Sequence, residues 1–260
     1  MNEPLLCDKK ENGVTVITFN RPDAMNALNL EAMIAFWQTI RQLAQDESLR
    51  VLILTGAGKK AFCSGGDLVE LRDRVSEDDA GYFTRIMSDA LHTMERLPVP
   101  VIAAINGYVL GGGSEIALAC DMRIIDEKTK MGMVQINMAV TPGWGAGQRL
   151  LRLVGYSKAM ELLLKGEVLR SDALRELNLA NQQVDAGLAL SAALTFANQI
   201  ADRPPRVVQG IKNLLQAGIT QDYKTARQIE HQIFPSLWAD EPHIDAVEAF
   251  FARQAEKKQE

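Results

Sequence analysis

Residues 99–125 read VPVIAAINGYVLGGGSEIALACDMRII and predict a strand, a glycine turn, a helix and a further strand in succession. The apolar run VPVIAAING at 99–107 predicts a buried strand that ends in glycine. Three consecutive glycines, at 111–113, allow a tight turn, and the run from there to Cys120 is typical of a helix. Such a succession indicates an α/β fold.

The same succession occurs earlier in the chain. Two β-branched runs, Val14–Phe19 and Val51–Gly56, are each followed by a helical pattern, the first from Asn29 and the second at 82–94. These units resemble one another only loosely, so we interpret them as a weak internal repeat and not as a solenoid. After about Val184 only helical patterns follow. They lie at 186–200, 206–217, 225–237 and 244–255.

The change from alternating strand and helix patterns to helical patterns alone predicts two structural regions. We expect an α/β body at residues 1–195 and a helical region at 196–260. The helices of the second part are apolar on more than one face. Such helices pack against a partner subunit or back onto their own chain, and the pattern alone favours neither arrangement.

The composition is that of a compact globular protein. Of 260 residues, 47% are hydrophobic and 23% are charged, which excludes collagen-like, disordered and disulfide-framework chains. The net charge of −5 provides no general attraction for a polyanion, so we expect no nucleic-acid partner. Cys7, Cys63 and Cys120 form no CxxC pair, which is typical of a reducing compartment and provides no zinc site.

We expect a cytoplasmic protein without a membrane span. The start, MNEPLLCDKKENG, contains no apolar segment of signal-peptide length. The uncharged stretch at 97–114 is the strongest candidate for a span, but Pro98, Pro100 and the glycines at 111–113 would break a helix in lipid.

Several familiar catalytic motifs are excluded by position. The GAGK at 56–59 lacks the upstream glycine and the following Ser or Thr of a Walker loop. The GWGAGQ at 143–148 ends on Gln where a dinucleotide fingerprint needs glycine, and no GxSxG elbow is present. We interpret the three histidines as surface or packing residues, since nothing places them in a catalytic triad. They are His92, His231 and His243.

Two glycine turns remain, AFCSGGDL at 61–68 and NGYVLGGGSEIALACD at 106–121. Glycines after buried strands leave N–H groups free to point into a cleft, and the second turn also opens a helix whose first amides favour negative charge. Two such turns provide the donors of an oxyanion hole. The alternative is that the glycines only allow tight turns and that Glu115 only complements the helix dipole.

Further segments accompany these turns. NRPDAMNAL at 20–28, TPGWGAGQRLLRLVG at 141–155 and WADEPHIDAVEAFFAR at 238–253, together with both turns, resemble the enoyl-CoA hydratase/isomerase (crotonase) superfamily in the same order. The resemblance implies a spiral of ββα units and a helical C-terminal region that forms a homotrimer or a dimer of trimers. It also implies acyl-CoA substrates, with no metal or redox cofactor, since coenzyme A is part of the substrate.

The resemblance assigns roles to individual positions. The amides of Gly66 and Gly112 would form the oxyanion hole, and Glu115 matches a catalytic acid/base of the hydratases. The second hydratase glutamate falls on Gln135, which is a departure from the family pattern. A carboxamide donates and accepts hydrogen bonds but does not shuttle a proton near neutral pH. The hydratase and isomerase mechanisms are therefore both in doubt.

Decarboxylation of a short α-carboxy-acyl-CoA needs the enolate hole without the second acid, and PGWG and LWADEP resemble a branch that decarboxylates methylmalonyl- or ethylmalonyl-CoA. We take this reaction as the leading hypothesis, with Gln135 positioning substrate or water. Two alternatives are enoyl-CoA hydration with Glu115 as the only carboxylate, and a non-catalytic protein that binds CoA thioesters or RNA. Trp144 either narrows the acyl pocket or only packs.

For the coenzyme, the resemblance points to backbone at Ala24 and Ala27 and at Ser64, Gly65 and Asp67. Basic side chains would hold the phosphates, although a charged C-terminal run is typically only solvated. The candidates are Arg253, Lys257 and Lys258.

Overall fold

A computed structural model describes residues 3–256, so Lys257 and Lys258 lie outside the described residues. The chain divides into two compact units, of which the first ends at Ile200 and the second begins at Ala201. The boundary lies a few residues after the position at 195 that the change of pattern predicts.

The first unit contains two sheets. The larger sheet has the strand order β1 (Leu5–Lys9), β2 (Val14–Phe19), β3 (Val51–Gly56), β5 (Val101–Ile105), β7 (Met122–Asp126) and β10 (Gln182–Val184). The smaller has the order β4 (Ala61–Cys63), β6 (Tyr108–Leu110), β8 (Lys130–Gly132) and β9 (Val168–Arg170). Strand β1 pairs antiparallel with β2, and β8 pairs antiparallel with β9. The other pairs are parallel, which confirms the predicted α/β class.

Helices surround these sheets in the first unit. They are α1 (Leu30–Leu43), α2 (Leu68–Leu71), α3 (Glu77–Glu95), α4 (Gly112–Ala119), α5 (Ala146–Val154), α6 (Tyr156–Lys165), α7 (Ser171–Glu176) and α8 (Ala189–Ala201). Two short 3₁₀ segments lie at Pro22–Ala24 and Val134–Met138.

The boundaries follow local chemistry. The Asn29 side chain accepts a hydrogen bond from the Ala32 amide and begins α1, as its N-cap pattern predicts. Helix α3 begins before the predicted residue 82, because Ser76 caps it by accepting from the Asp79 amide and acidic residues fill the first turn.

The predicted strand at 99–107 is divided between the two sheets. Strand β5 ends at Ile105, and β6 begins at Tyr108 in the smaller sheet. Between them Gly107 has φ +150°, and a Cβ there would lie 2.3 Å from the Lys60 carbonyl oxygen. Only glycine fits this bend, which brings the two glycine turns to one sheet, since β4 and β6 are neighbours.

Helix α4 is buried on all sides because both its apolar and its polar side chains have partners. The Ser114 Oγ lies 2.9 Å from the carbonyl oxygens of both Val109 and Gly132, and its single O–H donates to this pair, which joins the helix to β6 and β8. A Cβ on Gly113 would lie 1.9 Å from the Cys63 carbonyl oxygen. The first turn of α4 therefore lies directly against the end of β4.

Arg123 holds the other end of α4. Its guanidinium is 3% exposed and donates to the carbonyls of Ala117 at 3.4 Å, Cys120 at 2.8 Å and Leu179 at 2.8 Å. Burial lowers the pKa of this guanidinium. A cation at the C-terminal end complements the helix dipole, whose positive end lies at the glycine turn.

Replacing Arg123 with methionine is expected to lower the free energy of unfolding by about 2–4 kcal/mol, because buried carbonyls lose their donor while the packing volume is largely kept. Denaturant titration measures the change. Arg152→Met, at an exposed position of α5, is the control and is expected to change stability by less than about 0.5 kcal/mol. Equal losses in both variants would contradict the capping role.

The second unit is helical. It contains α9 (Pro205–Thr220), α10 (Tyr223–Trp238) and α11 (Glu241–Glu256). Helices α9 and α10 approach closely, since a Cβ on Gly210 would lie 3.0 Å from Cγ2 of Ile233. Several large apolar side chains of α10 and α11 are exposed, and trimerisation through this region stays a prediction. They include Phe234, Trp238, Phe250 and Phe251.

No helix among residues 3–256 combines the length and the hydropathy that a bilayer span requires. The stretch at 97–114, which the prolines and glycines predict to be unsuitable for a span, forms β5, β6 and the first turn of α4.

Candidate active site

The first glycine turn joins β4 to α2. Gly65 has φ +94°, a left-handed conformation that favours glycine. Its carbonyl accepts from the Leu28 amide at 2.7 Å, and the Asp67 amide donates to the Leu28 carbonyl at 2.9 Å. The Gly66 amide lies between these two bonds and takes part in neither.

The second glycine turn joins β6 to α4. Gly111 has φ +51°, and its amide donates to the Gly132 carbonyl at 3.0 Å. Gly112 is the first residue of α4, where an amide has no acceptor within the helix. A Cβ on Gly65 would lie 2.8 Å from the Gly112 nitrogen, so the two turns are in close contact. The structure thus brings together the two turns that carry the predicted oxyanion residues, and the catalytic role of these residues stays a prediction.

The Trp144 ring covers Gly112. A Cβ on Gly112 would lie 2.2 Å from Cζ3 and 2.6 Å from Cη2 of this ring, so the indole packs against the glycine α-carbon. Trp144 is 8% exposed. Because of this contact, a side chain at position 112 would displace the ring.

Glu115 lies on the first turn of α4 and is 2% exposed. Its Oε1 accepts from Nε2 of Gln135 at 3.1 Å and from the Gly143 amide at 3.2 Å. Its Oε2 accepts from the amides of Trp144 at 2.7 Å and Ala146 at 3.1 Å. Each carboxylate oxygen has room for about two donors, so all of the positions are filled.

Burial raises the pKa of Glu115 above its ordinary value. The amides of Ala146, Trp144 and Gly143 and the Gln135 side chain oppose this effect, because each donates to the ionised form. Desolvation outweighs the donors. A buried carboxylate with a raised pKa beside a glycine turn is the type of group that catalytic sites use.

Gln135 lies on the 3₁₀ segment Val134–Met138 and joins the site through Glu115. Its Oε1 is buried, and no donor among the described residues reaches it. The position twenty residues after Glu115, which the family pattern predicts to face the same site, therefore contacts it directly. The sequence does not indicate the unpaired oxygen.

Sequence reasoning missed how the loop at 142–146 is held. Arg149 donates from Nη1 to the Trp144 carbonyl at 2.6 Å and pairs with both oxygens of Glu95 at 2.7 Å. Glu115 binds the same loop from its other side. In the sequence, the glycine at position 145 is the indication of this loop geometry. In the structure Gly145 has φ +99°, a left-handed conformation that favours glycine.

The predicted coenzyme segments also lie side by side. Ala24 ends the first 3₁₀ segment, and the next two residues, Met25 and Asn26, have φ +51° and +55°. The Asn26 side chain donates to the carbonyls of Ala57 at 3.0 Å and Ala61 at 2.7 Å. The Ser64 amide donates to the Met25 carbonyl at 3.2 Å. This network joins the segment to β4 and the first glycine turn.

Arg21 holds both segments. Its Nη1 donates to the Ala27 carbonyl at 2.6 Å and to Oδ2 of Asp67 at 2.7 Å. Burial raises the pKa of Asp67, but the Arg21 bond and the amides of Val69 and Glu70 outweigh it, and the net pKa lies below the ordinary value. Asp67 is therefore a structural anion that caps α2.

Cys63 is the residue before this turn. Burial raises the pKa of its thiol to about 12, and its Sγ accepts from the Gly65 amide at 3.4 Å. It stays a thiol at neutral pH, which makes it a packing group and not a nucleophile. Arg253, in α11, is exposed, and its Nε donates to the Ala249 carbonyl. A phosphate contact there stays a prediction.

The chain is similar to a known family and to known proteins over most of its length. A family model described as enoyl-CoA hydratase/isomerase matches residues 9–259. The chain is 34% identical to a short-chain-enoyl-CoA hydratase of Clostridium acetobutylicum, over 95% of this chain and 94% of the relative. It is 32% identical to a crotonyl-CoA hydratase of Syntrophomonas wolfei, over 95% and 94%. A crystal structure of an enoyl-CoA hydratase from Bacillus anthracis superposes with a TM-score of 0.90 at 34% identity, over 96% of each chain.

Proposed function

Because this chain belongs to the enoyl-CoA hydratase/isomerase family, we propose that it is an acyl-CoA lyase that stabilises a thioester enolate between the amides of Gly66 and Gly112. The contact between the Gly65 and Gly112 turns supports this role, since it brings the two segments that carry these amides together. Donors fixed before the reaction stabilise developing negative charge without reorganisation.

The leading reaction is decarboxylation of a short α-carboxy-acyl-CoA of the methylmalonyl or ethylmalonyl type. The observation that supports this reaction is the hydrogen bonding of the Glu115 carboxylate. Glu115 accepts four N–H donors, and the neighbouring side chain is the carboxamide of Gln135. No lone pair of Glu115 remains to take a proton from water, so a reaction that needs no general base fits this arrangement best.

Decarboxylation requires the two proposed amide donors and a source of one proton. The bond from the α-carbon to the carboxylate breaks, carbon dioxide leaves, and the electron pair passes into the thioester as an enolate. Its oxygen accepts from the two amides, and a proton then adds to the α-carbon. The Trp144 ring packs directly against Gly112, and we infer that this bulk restricts the acyl group to a short α-substituent.

Hydration of a 2-enoyl-CoA is the second candidate. The names of the relatives from Clostridium acetobutylicum and Syntrophomonas wolfei favour it. It requires that Glu115 releases at least one of its four donors and activates water without a second carboxylate. A non-catalytic role in CoA-thioester binding stays a further alternative, whereas an RNA-binding role receives no support from the net charge of −5.

The purified protein is expected to release carbon dioxide from methylmalonyl-CoA or ethylmalonyl-CoA. Infrared detection of carbon dioxide and chromatography of the thioesters measure this reaction, and crotonyl-CoA is assayed in parallel. Hydration of crotonyl-CoA at about 1–10³ s⁻¹ without any loss of carbon dioxide from the malonyl substrates would replace decarboxylation with hydration.

A further inference from the structure

The orientation of the Gln135 amide is determined by its neighbour. Nε2 lies 3.1 Å from Oε1 of Glu115, and an ionised carboxylate only accepts hydrogen bonds. The –NH₂ group must therefore face Glu115, and the carbonyl oxygen must face away from it. Rotating the amide by half a turn would place Oε1 against the carboxylate, so Oε1 of Gln135 points away from Glu115.

That acceptor is buried and receives no donor from the described residues. A buried acceptor without a partner is unfavourable, and such groups in native proteins are usually satisfied by water or by a ligand. The partner must carry an O–H or an N–H. A substrate carboxylate does not, because it is itself only an acceptor.

The segment that carries Gln135 lies against the second glycine turn. A Cβ on Gly111 would lie 3.8 Å from Cγ2 of Val134, the residue before Gln135. Glu115, to which Gln135 is bonded, lies on the first turn of the helix that begins at Gly112. Gln135 therefore lies beside both Glu115 and the turn that carries the proposed enolate-binding amide of Gly112.

We propose that Gln135 is a positioning residue whose Oε1 binds the water that protonates the α-carbon. The inference rests on the proposed enolate chemistry. One O–H of this water donates to Oε1, and the other gives its proton to the α-carbon. The new C–H bond forms with the electron pair of the enolate, the O–H bond breaks, and the remaining hydroxide takes up a proton from solvent. Glu115 holds the amide in the orientation that this step needs.

Turnover in D₂O tests the step. Wild-type protein is expected to give α-deuterated propionyl-CoA from methylmalonyl-CoA with a single configuration, since the water is held on one face. Gln135→Met keeps the length of the side chain and removes the acceptor. It is expected to lower kcat by about 10²-fold, with little change in KM, and to give both configurations. Gln148→Met, at an exposed position of α5, is the matched control and keeps both properties.

The configuration separates positioning from structure, because a partly destabilised protein loses rate without losing facial selectivity. A Gln135→Met enzyme that keeps a single configuration overturns the inference. If the malonyl thioesters do not react, the same measurement is made on hydration of crotonyl-CoA, whose α-carbon also receives a solvent proton. The proposed decarboxylation then fails while the role of Gln135 is still decided.

A crystal structure of the wild-type protein gives a readout that is independent of turnover. An ordered water at about 2.6–3.2 Å from Oε1 of Gln135, with Nε2 on Glu115, is the expected result. An amide turned so that its oxygen faces Glu115, or an Oε1 without an ordered donor, overturns the inference.

Discussion

Replacing Gly66 with proline is expected to lower kcat by about 10²–10³-fold, because proline has no N–H and the enolate would keep one donor in place of two. The Gly66 amide lies between two backbone bonds that Leu28 makes to Gly65 and Asp67, so this pairing does not depend on the lost N–H. The effect is therefore expected in kcat more than in the fold. Rates are measured on the thioester that the wild-type protein turns over, with the Tm recorded alongside.

Gly66→Ala is the matched control for the proline variant. A Cβ at this position would lie 3.4 Å from Cδ1 of Leu71, which is an ordinary van der Waals contact, and the amide is retained. Alanine is expected to keep most of the activity. Equal losses in the two variants would assign the effect to the shape of the turn and would remove Gly66 from the oxyanion hole.

The two glycine turns were predictable because glycine after a buried strand has a local meaning. The sequence also places Glu115 three residues after Gly112, and helix periodicity puts that side chain on the first turn. The contact between the turns was not derivable locally. It depends on the bend at Gly107, where the chain passes from the larger sheet to the smaller one. The Lys60 carbonyl lies so close to this bend that only glycine fits.

The hydrogen-bond donors to Glu115 could not be predicted from the sequence either. Three of its four donors are backbone amides of the loop at 142–146, and a backbone amide has no residue signature. The course of that loop depends on Arg149, which is bound to Glu95, and on the packing of Trp144 against Gly112. Side-chain contacts between distant segments decide these features, whereas strands and caps follow from neighbouring residues.

These contacts change what the substitution at Gln135 means. From sequence alone it is a missing acid. In the structure the amide donates to Glu115 and helps to keep that carboxylate saturated, which a second glutamate in its ionised form would not do. Gln135 and the loop amides together convert the family acid/base position into an anion with four fixed donors. The turns that carry the proposed enolate-binding amides lie next to it.

Replacing Glu115 with glutamine is expected to lower kcat by about 10²-fold, because the carboxylate holds the Gln135 amide and the loop that carries Trp144 in place. An –NH₂ group in place of one carboxylate oxygen would face two N–H donors, either Trp144 and Ala146 or Gly143 and Gln135. The loop that holds the Trp144 ring would then lose hydrogen bonds.

The same variant is expected to differ from wild type in the pH dependence of stability. Burial raises the pKa of Glu115, so between the ordinary glutamate pKa and this raised value the folded protein binds more protons than the unfolded chain. The free energy of unfolding of the wild type then falls as pH rises through that window. Glu115→Gln has no proton to release. The free energy of unfolding of the wild type minus that of the variant is therefore expected to be largest below the ordinary glutamate pKa and to decline above it.

Denaturant titrations at a series of pH values measure this difference, with Glu176→Gln at an exposed position of α7 as the control. A difference that rises with pH would mean that the four donors outweigh burial and that Glu115 is held ionised.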